Sequence, residues 1–142
     1  MASRYVAIGG RWIFALWYLA TGATWFVSRA RGRGGAHREA AAGAAAFQAA
    51  LTQSGFMDPL LALICLLGGA ALLVRRTSPL GIVMLAPVVA VIFFFHLVLT
   101  GNWVWGTLNL LWFAALAWSC RDALKTLWHY SRASAFPERP AR

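Results

Sequence analysis

Four long apolar stretches, separated by short polar or glycine-containing breaks, set the organisation of the chain. The first is Trp12 to Val27, extended backwards by Val6 to Gly10, and the second opens at Pro59 and runs through LLALICLLGGAALLV. The third, Pro79 to Thr100, is followed by a tight Gly101-Asn102 turn, and the fourth, Trp103 to Leu127, carries the chain back. Each approaches or exceeds the ~20 residues that a helix needs to cross a bilayer. None shows the alternation of a half-buried strand. The pattern predicts spans over residues 8–28, 59–75, 79–100 and 103–127, so the expected fold class is all-α: a polytopic four-transmembrane-helix bundle forming one domain over residues 1–130.

Between the first two runs the pattern changes. Residues 29–36 are rich in Arg and Gly and read as a loop. Residues 37–54, HREAAAGAAAFQAALTQS, have high helix propensity but polar ends. Phe47 and Leu51, spaced i, i+4, give a narrow apolar stripe. The prediction is a short amphipathic surface helix over 37–54, stopped by Gly55. Pro59 and Pro79 suit helix starts, and Pro87 is expected to bend the third span. Residues 131–142 form a basic, proline-containing tail for which no order is expected.

Composition strengthens the membrane reading. Hydrophobic residues make up 61% of the 142 and charged residues 12%, against about 45–50% and 25% in an average globular chain. The eight Trp suit membrane–water interfaces, and Trp12 and Trp25 are placed to anchor opposite ends of the first span. The net charge of +9 does not point to nucleic acid, because the basic residues cluster at the ends of apolar runs. Counting Arg and Lys on the two sides of a four-span protein puts both termini in the cytoplasm. A retained first helix, with no signal-peptide cleavage pattern, is expected. Cys65 and Cys120 lie in or beside apolar runs, with no metal-ligand spacing.

Candidate chemistry is sparse. No nucleophile–base pair, phosphate-binding loop or paired carboxylate is present in the pattern. His96 is the one ionisable side chain inside a span, one turn before the Gly101-Asn102 exit. It suits interhelical hydrogen bonding, a bond to a quinone carbonyl, or ligation of haem or bacteriochlorophyll through neutral imidazole. Asn102, Gly106 and Asn109 share a face at the start of the fourth span, and Asn109 is expected to bond to another helix. Trp105, with Trp103, Trp112 and Phe93 to Phe95, could border a flat hydrophobic ligand. The tentative ligand-binding set is therefore His96, Asn102, Asn109 and Trp105, with no catalytic residue and no metal site of its own.

From Phe56 onward, FMDPL…GGAALLV, then PL…LAPVVAVIFFFH, then a short turn and a Trp-rich last helix resembles the DoxX-like family of small four-helix integral membrane proteins. Phe47, Ala50-Leu51 and Ser54-Gly55-Phe56 before it, and Gly22…Phe26 in the first span, fit the same pattern, so the resemblance covers roughly residues 8–125. It implies a bacterial inner-membrane protein linked to quinone redox chemistry, as in subunits of a thiosulfate:quinone oxidoreductase. The chain departs from the family where polar groups are common: it has Thr24 and Trp25 at the end of the first span, Cys65 in the second and Val91 shortly before His96. Of that polar set only His96 stays. Intramembrane charges are expensive and kept mainly for function. Their loss leads to the expectation of a non-catalytic accessory subunit of a larger electron-transfer or quinone-linked complex, respiratory or photosynthetic. The alternatives are a quinone-binding oxidoreductase subunit and a pigment- or haem-binding one.

Overall fold

A computed structural model describes residues 2–32 and 41–128. All regular structure among them is helical: α1 (Ala2–Ala30), α2 (Ala42–Gln53), α3 (Met57–Leu73), α4 (Ser78–Phe94), a π-helical segment (Phe95–Thr100), α5 (Trp103–Ser119) and α6 (Arg121–Trp128). His37, His129 and the tail over 131–142 lie outside the described residues, as does the Arg/Gly stretch beyond Gly32.

The helix ends follow from local chemistry. Gly55, at φ 74°, stops α2 in the left-handed conformation that glycine tolerates. The reversal into α3 is stapled by Thr52 Oγ1, which donates to Asp58 Oδ2 at 2.8 Å, and by Ser54 Oγ, which accepts from the Met57 N–H at 3.1 Å. As a result α2 and α3 meet at 92°. At the far end of α3, Thr77 Oγ1 donates to the Ala71 carbonyl at 2.8 Å and so satisfies one of the last orphan acceptors. That closure ends the helix at Leu73, two residues short of Arg75, where the hydrophobic pattern ends the second span.

Three other features differ from the sequence pattern. The third apolar run is one continuous 23-residue rod, Ser78–Thr100, but its last six residues are wound as π-helix. The helix continues through Pro87; the missing N–H there leaves one rung of the hydrogen-bond ladder unmade. The fourth run divides at Cys120, whose φ of −103° and ψ of 8° leave helical geometry, so the span expected over 103–127 is a 17-residue helix followed by a short one. The division falls where the sequence turns from apolar to charged, at Arg121-Asp122. The first helix is longer than expected, running back to Ala2.

α1, α3, α4 and α5 form an antiparallel four-helix bundle. Each buries a stripe spaced by three and four residues: Phe14, Ala15, Tyr18 and Gly22 on α1, Ala62, Cys65, Gly68, Gly69 and Leu72 on α3, and Gly81, Ile82, Leu85, Val88 and Val89 on α4. α5 adds Gly106, Phe113 and Leu116. Glycines set the closest approaches. A Cβ at Gly69 would lie 2.8 Å from the Leu19 nitrogen and 2.9 Å from the Ala15 oxygen, and one at Gly22 would lie 2.5 Å from the Ala62 oxygen. The α1–α3 contact is therefore backbone against backbone, the small-residue packing common between helices in lipid. α4 rests on α3 through Gly81 and Gly68, and the seam between α1 and α5 is the lightest of the four.

The outward faces are as apolar as the inward ones. Ile13 on α1, Leu63 on α3, Val83 on α4 and Leu111 on α5 are between 44% and 60% exposed. Helices that are apolar on their outward faces as well suit an apolar surrounding, lipid or another protein. By length and apolarity together, among the described residues, Ser78–Thr100 qualifies alone as a membrane-crossing helix, and Ala42–Gln53 with Met57–Leu73 qualifies as a sharply bent pair. Of the four spans expected from the pattern, only the third is by itself a membrane-crossing helix by these criteria; α3 and α5, with 17 residues each, stand at the short end of the spanning range of about 17–25.

Candidate functional site

Two small polar constellations hold the residues singled out from the sequence. The first lies at the end of α4. In a π-helix the backbone takes one extra residue per turn, an arrangement that is rare and frequently found at functional positions. Here the widened turn holds His96. Its Nδ1 lies 3.1 Å from Thr100 Oγ1. The same hydroxyl is 3.2 Å from the His96 carbonyl, to which it donates, and accepts from the Asn102 N–H at 3.3 Å.

Thr100 has a single hydroxyl proton. When that proton goes to the His96 carbonyl, Nδ1 carries the hydrogen that bridges to Oγ1, and in the neutral imidazole the lone pair is then on Nε2. Thr100 is therefore the hub that orients the imidazole and ties it to the Gly101 turn.

Neighbouring elements hold this segment in place. Gly106 on α5 passes so close that a Cβ there would be 2.9 Å from His96 Cβ and 3.2 Å from the Phe93 oxygen. From the other side α2 leans on the segment: the rings of Phe47 and Phe95 are 5.8 Å apart, and Gly43 faces Leu99. The Phe95 and His96 rings meet edge to face at 5.4 Å. The helix between the first two apolar runs thus has a definite docking partner, the π-helical end of α4.

The second constellation is the α1–α5 seam. Tyr18, 1% exposed, donates its hydroxyl to Asn109 Oδ1 at 3.0 Å. Aromatic rings flank the pair on both sides: Trp17 against Trp105 at 5.9 Å toward the His96 end, and Phe14 against Trp112 at 5.8 Å toward the termini. Asn109 thus bonds across to another helix, and its amide nitrogen is the part left for a further acceptor.

The four residues singled out from the sequence are divided between these places. His96 and the backbone of Asn102 share the Thr100 hub, Asn109 belongs to the Tyr18 pair, and Trp105 meets Trp17 edge to face. The Asn102 side chain is exposed and makes no cap on α5. Thr100 and Tyr18 were not visible as site residues in the pattern. Tyr18 had a signal, however: it is the polar-tipped residue in the otherwise apolar stripe Phe14, Ala15, Tyr18, Gly22. Among the described residues no group of three His, Cys, Asp or Glu side chains converges as a metal site.

Comparison with family models, with curated proteins and with solved structures returns no match to this chain.

Proposed function

We propose that the chain is a DoxX-type four-span protein of the bacterial inner membrane, with both termini cytoplasmic, and that it serves as a non-catalytic accessory subunit of a larger electron-transfer or quinone-linked complex. The observation that carries this reading is the indole-rich flank along the α1–α5 seam. Trp17, Trp105 and Trp112 are between 40% and 55% exposed, yet two of them already pack on each other across the seam. Large rigid rings presented laterally at the loosest seam of a bundle suit a neighbouring transmembrane helix, since aromatic side chains are enriched at the anchoring points of interfaces. Two further features support it. The apolar surface needs a lipid or protein surrounding, and α3 and α5, at about 25 Å each, are long enough to cross a thin hydrocarbon core.

The test is extraction from the native membrane in mild detergent, with identification of whatever co-migrates and an absorption spectrum of the eluate. Stoichiometric membrane partners that are lost in Trp17→Ala/Trp105→Ala are the expected result. A solitary monomer overturns the accessory role.

A second reading rests on the π-helical segment. An imidazole oriented by Thr100 with Nε2 unprotonated can accept a hydrogen bond from a quinol hydroxyl, or ligate a haem or bacteriochlorophyll. A redox-active quinone lost on His96→Ala supports the first version, and a coloured preparation that bleaches in that variant supports the second.

A further inference from the structure

We propose that the termini end of the bundle carries a binding site for the headgroup of an anionic phospholipid, built around Arg11. The inference rests on the membrane placement above, and starts from a side chain where the pattern is least comfortable with one. Arg11 continues the buried stripe of α1, lying four, seven and eleven residues before Ala15, Tyr18 and Gly22, so it shares their face. Because Ala15 and Leu19 lie over Gly69 in an antiparallel pair, Arg11 is level with the last turn of α3. Its Nε is fully shielded and meets no hydrogen-bond partner. A buried guanidinium donor left unmade is costly, and charged donors more so than neutral ones.

The surrounding charge says what would complete it. Arg75 and Arg76 follow directly on α3, and Arg121 opens α6 at the same end. Among the described residues neither Arg11, Arg75 nor Arg76 takes part in an ion pair. The one carboxylate described there, Asp122, already lies 3.2 Å from Lys125 and 3.8 Å from Arg121. Arg121 also sits over the Trp118 ring at 4.9 Å, a pairing of cation and indole suited to the headgroup level. Asp58 is at the opposite end, engaged by Thr52. The termini end thus has surplus positive charge, and the half-buried Arg11 side chain can turn its planar donor edge outward to meet a phosphodiester by parallel hydrogen bonds. The adjacent arginines favour a lipid of net negative charge over a zwitterionic one.

The experiment is native mass spectrometry of the full chain released from micelles containing equal phosphatidylglycerol and phosphatidylcholine, after carbonate washing of the membranes. Retained phosphatidylglycerol is expected in the wild type, with about a tenfold or greater loss of that preference in Arg11→Gln, the scale of a charge-assisted hydrogen bond. Arg29→Gln/Arg31→Gln, at the opposite end, should keep it. If Arg11→Gln is not recovered folded, Arg75→Gln/Arg76→Gln carries the test and must weaken the preference. Membrane-embedded protein with no preference between the lipids, or one equally reduced by Arg29→Gln/Arg31→Gln, overturns the site and leaves the membrane reading standing. Protein released by the carbonate wash overturns both.

Discussion

The Tyr18 hydroxyl and the Asn109 side-chain oxygen, 3.0 Å apart, join α1 to α5 where the two helices otherwise touch least. The pair lies 91 residues apart in sequence and closes the ring of four helices. Tyr18→Phe removes the donor and leaves the amide oxygen without its protein partner. The expected destabilisation is about 0.5–1.5 kcal/mol, within the range found for interhelical hydrogen bonds in membranes. In a cycle with Asn109→Leu, followed by thermal unfolding in detergent, the coupling should be of the same size. Additive effects of the two substitutions would show that the bond contributes nothing.

Glycine substitutions separate packing from helix propensity. Gly22→Ala and Gly69→Ala place a methyl group against the backbone of the partner helix, which cannot yield as a flexible side chain can. Each should destabilise by about 1–3 kcal/mol through forced separation of α1 and α3. Gly9→Ala meets nothing within 4 Å and should stabilise α1 by about 0.5–1 kcal/mol. Unfolding midpoints that move in the same direction for all three contradict the backbone-to-backbone contact.

Opposite ends of the bundle should be reachable from opposite sides of the membrane. Single cysteines at Asn102 and Arg76, introduced with Cys120→Ala and the buried Cys65 kept, provide the test with a membrane-impermeant thiol reagent on whole cells. Asn102→Cys should react from outside and Arg76→Cys only after permeabilisation. Equal labelling of both from outside would rule out the antiparallel four-span arrangement with cytoplasmic termini.

The Thr100 hub makes a spectroscopic prediction. In a His37→Gln/His129→Gln background, ¹⁵N NMR of the remaining imidazole should show a protonated Nδ1 and an unprotonated Nε2. Thr100→Val removes the partner of both Nδ1 and the Asn102 N–H. Its expected cost is about 1 kcal/mol, with loss of the single-tautomer signature. A protonated Nε2 in the parent would reverse the hydrogen-bond directions and leave the lone pair unavailable to a ligand.

Helical class and the main breaks were readable because they depend on neighbours in sequence. Long apolar runs exclude alternating strands, Gly55 and Gly101 adopt positive φ because little else does so without strain, and Pro79 opens α4 because its missing N–H is harmless there. The break at Cys120 and the π-helical winding at Phe95 were not readable. Apolar side chains satisfy α- and π-geometry alike, and the π-helical winding falls where Gly106 approaches closely and Phe47 packs on Phe95. Site residues divide the same way. His96 was legible because an ionisable group within an apolar run is visible by itself, whereas its hub, Thr100, is one of several hydroxyl residues until the winding aligns it.

The sequence by itself therefore determined that the chain is helical, strongly apolar along four runs and basic at most of their ends, since these follow from composition and short-range periodicity. Only the tertiary structure decided which polar groups meet. Tyr18 reaches Asn109, and no described carboxylate pairs with Arg11, because contacts between distant segments depend on the register of the helices. That register is set by where two backbones can approach, at Gly22, Gly69 and Gly81, and no local pattern encodes it.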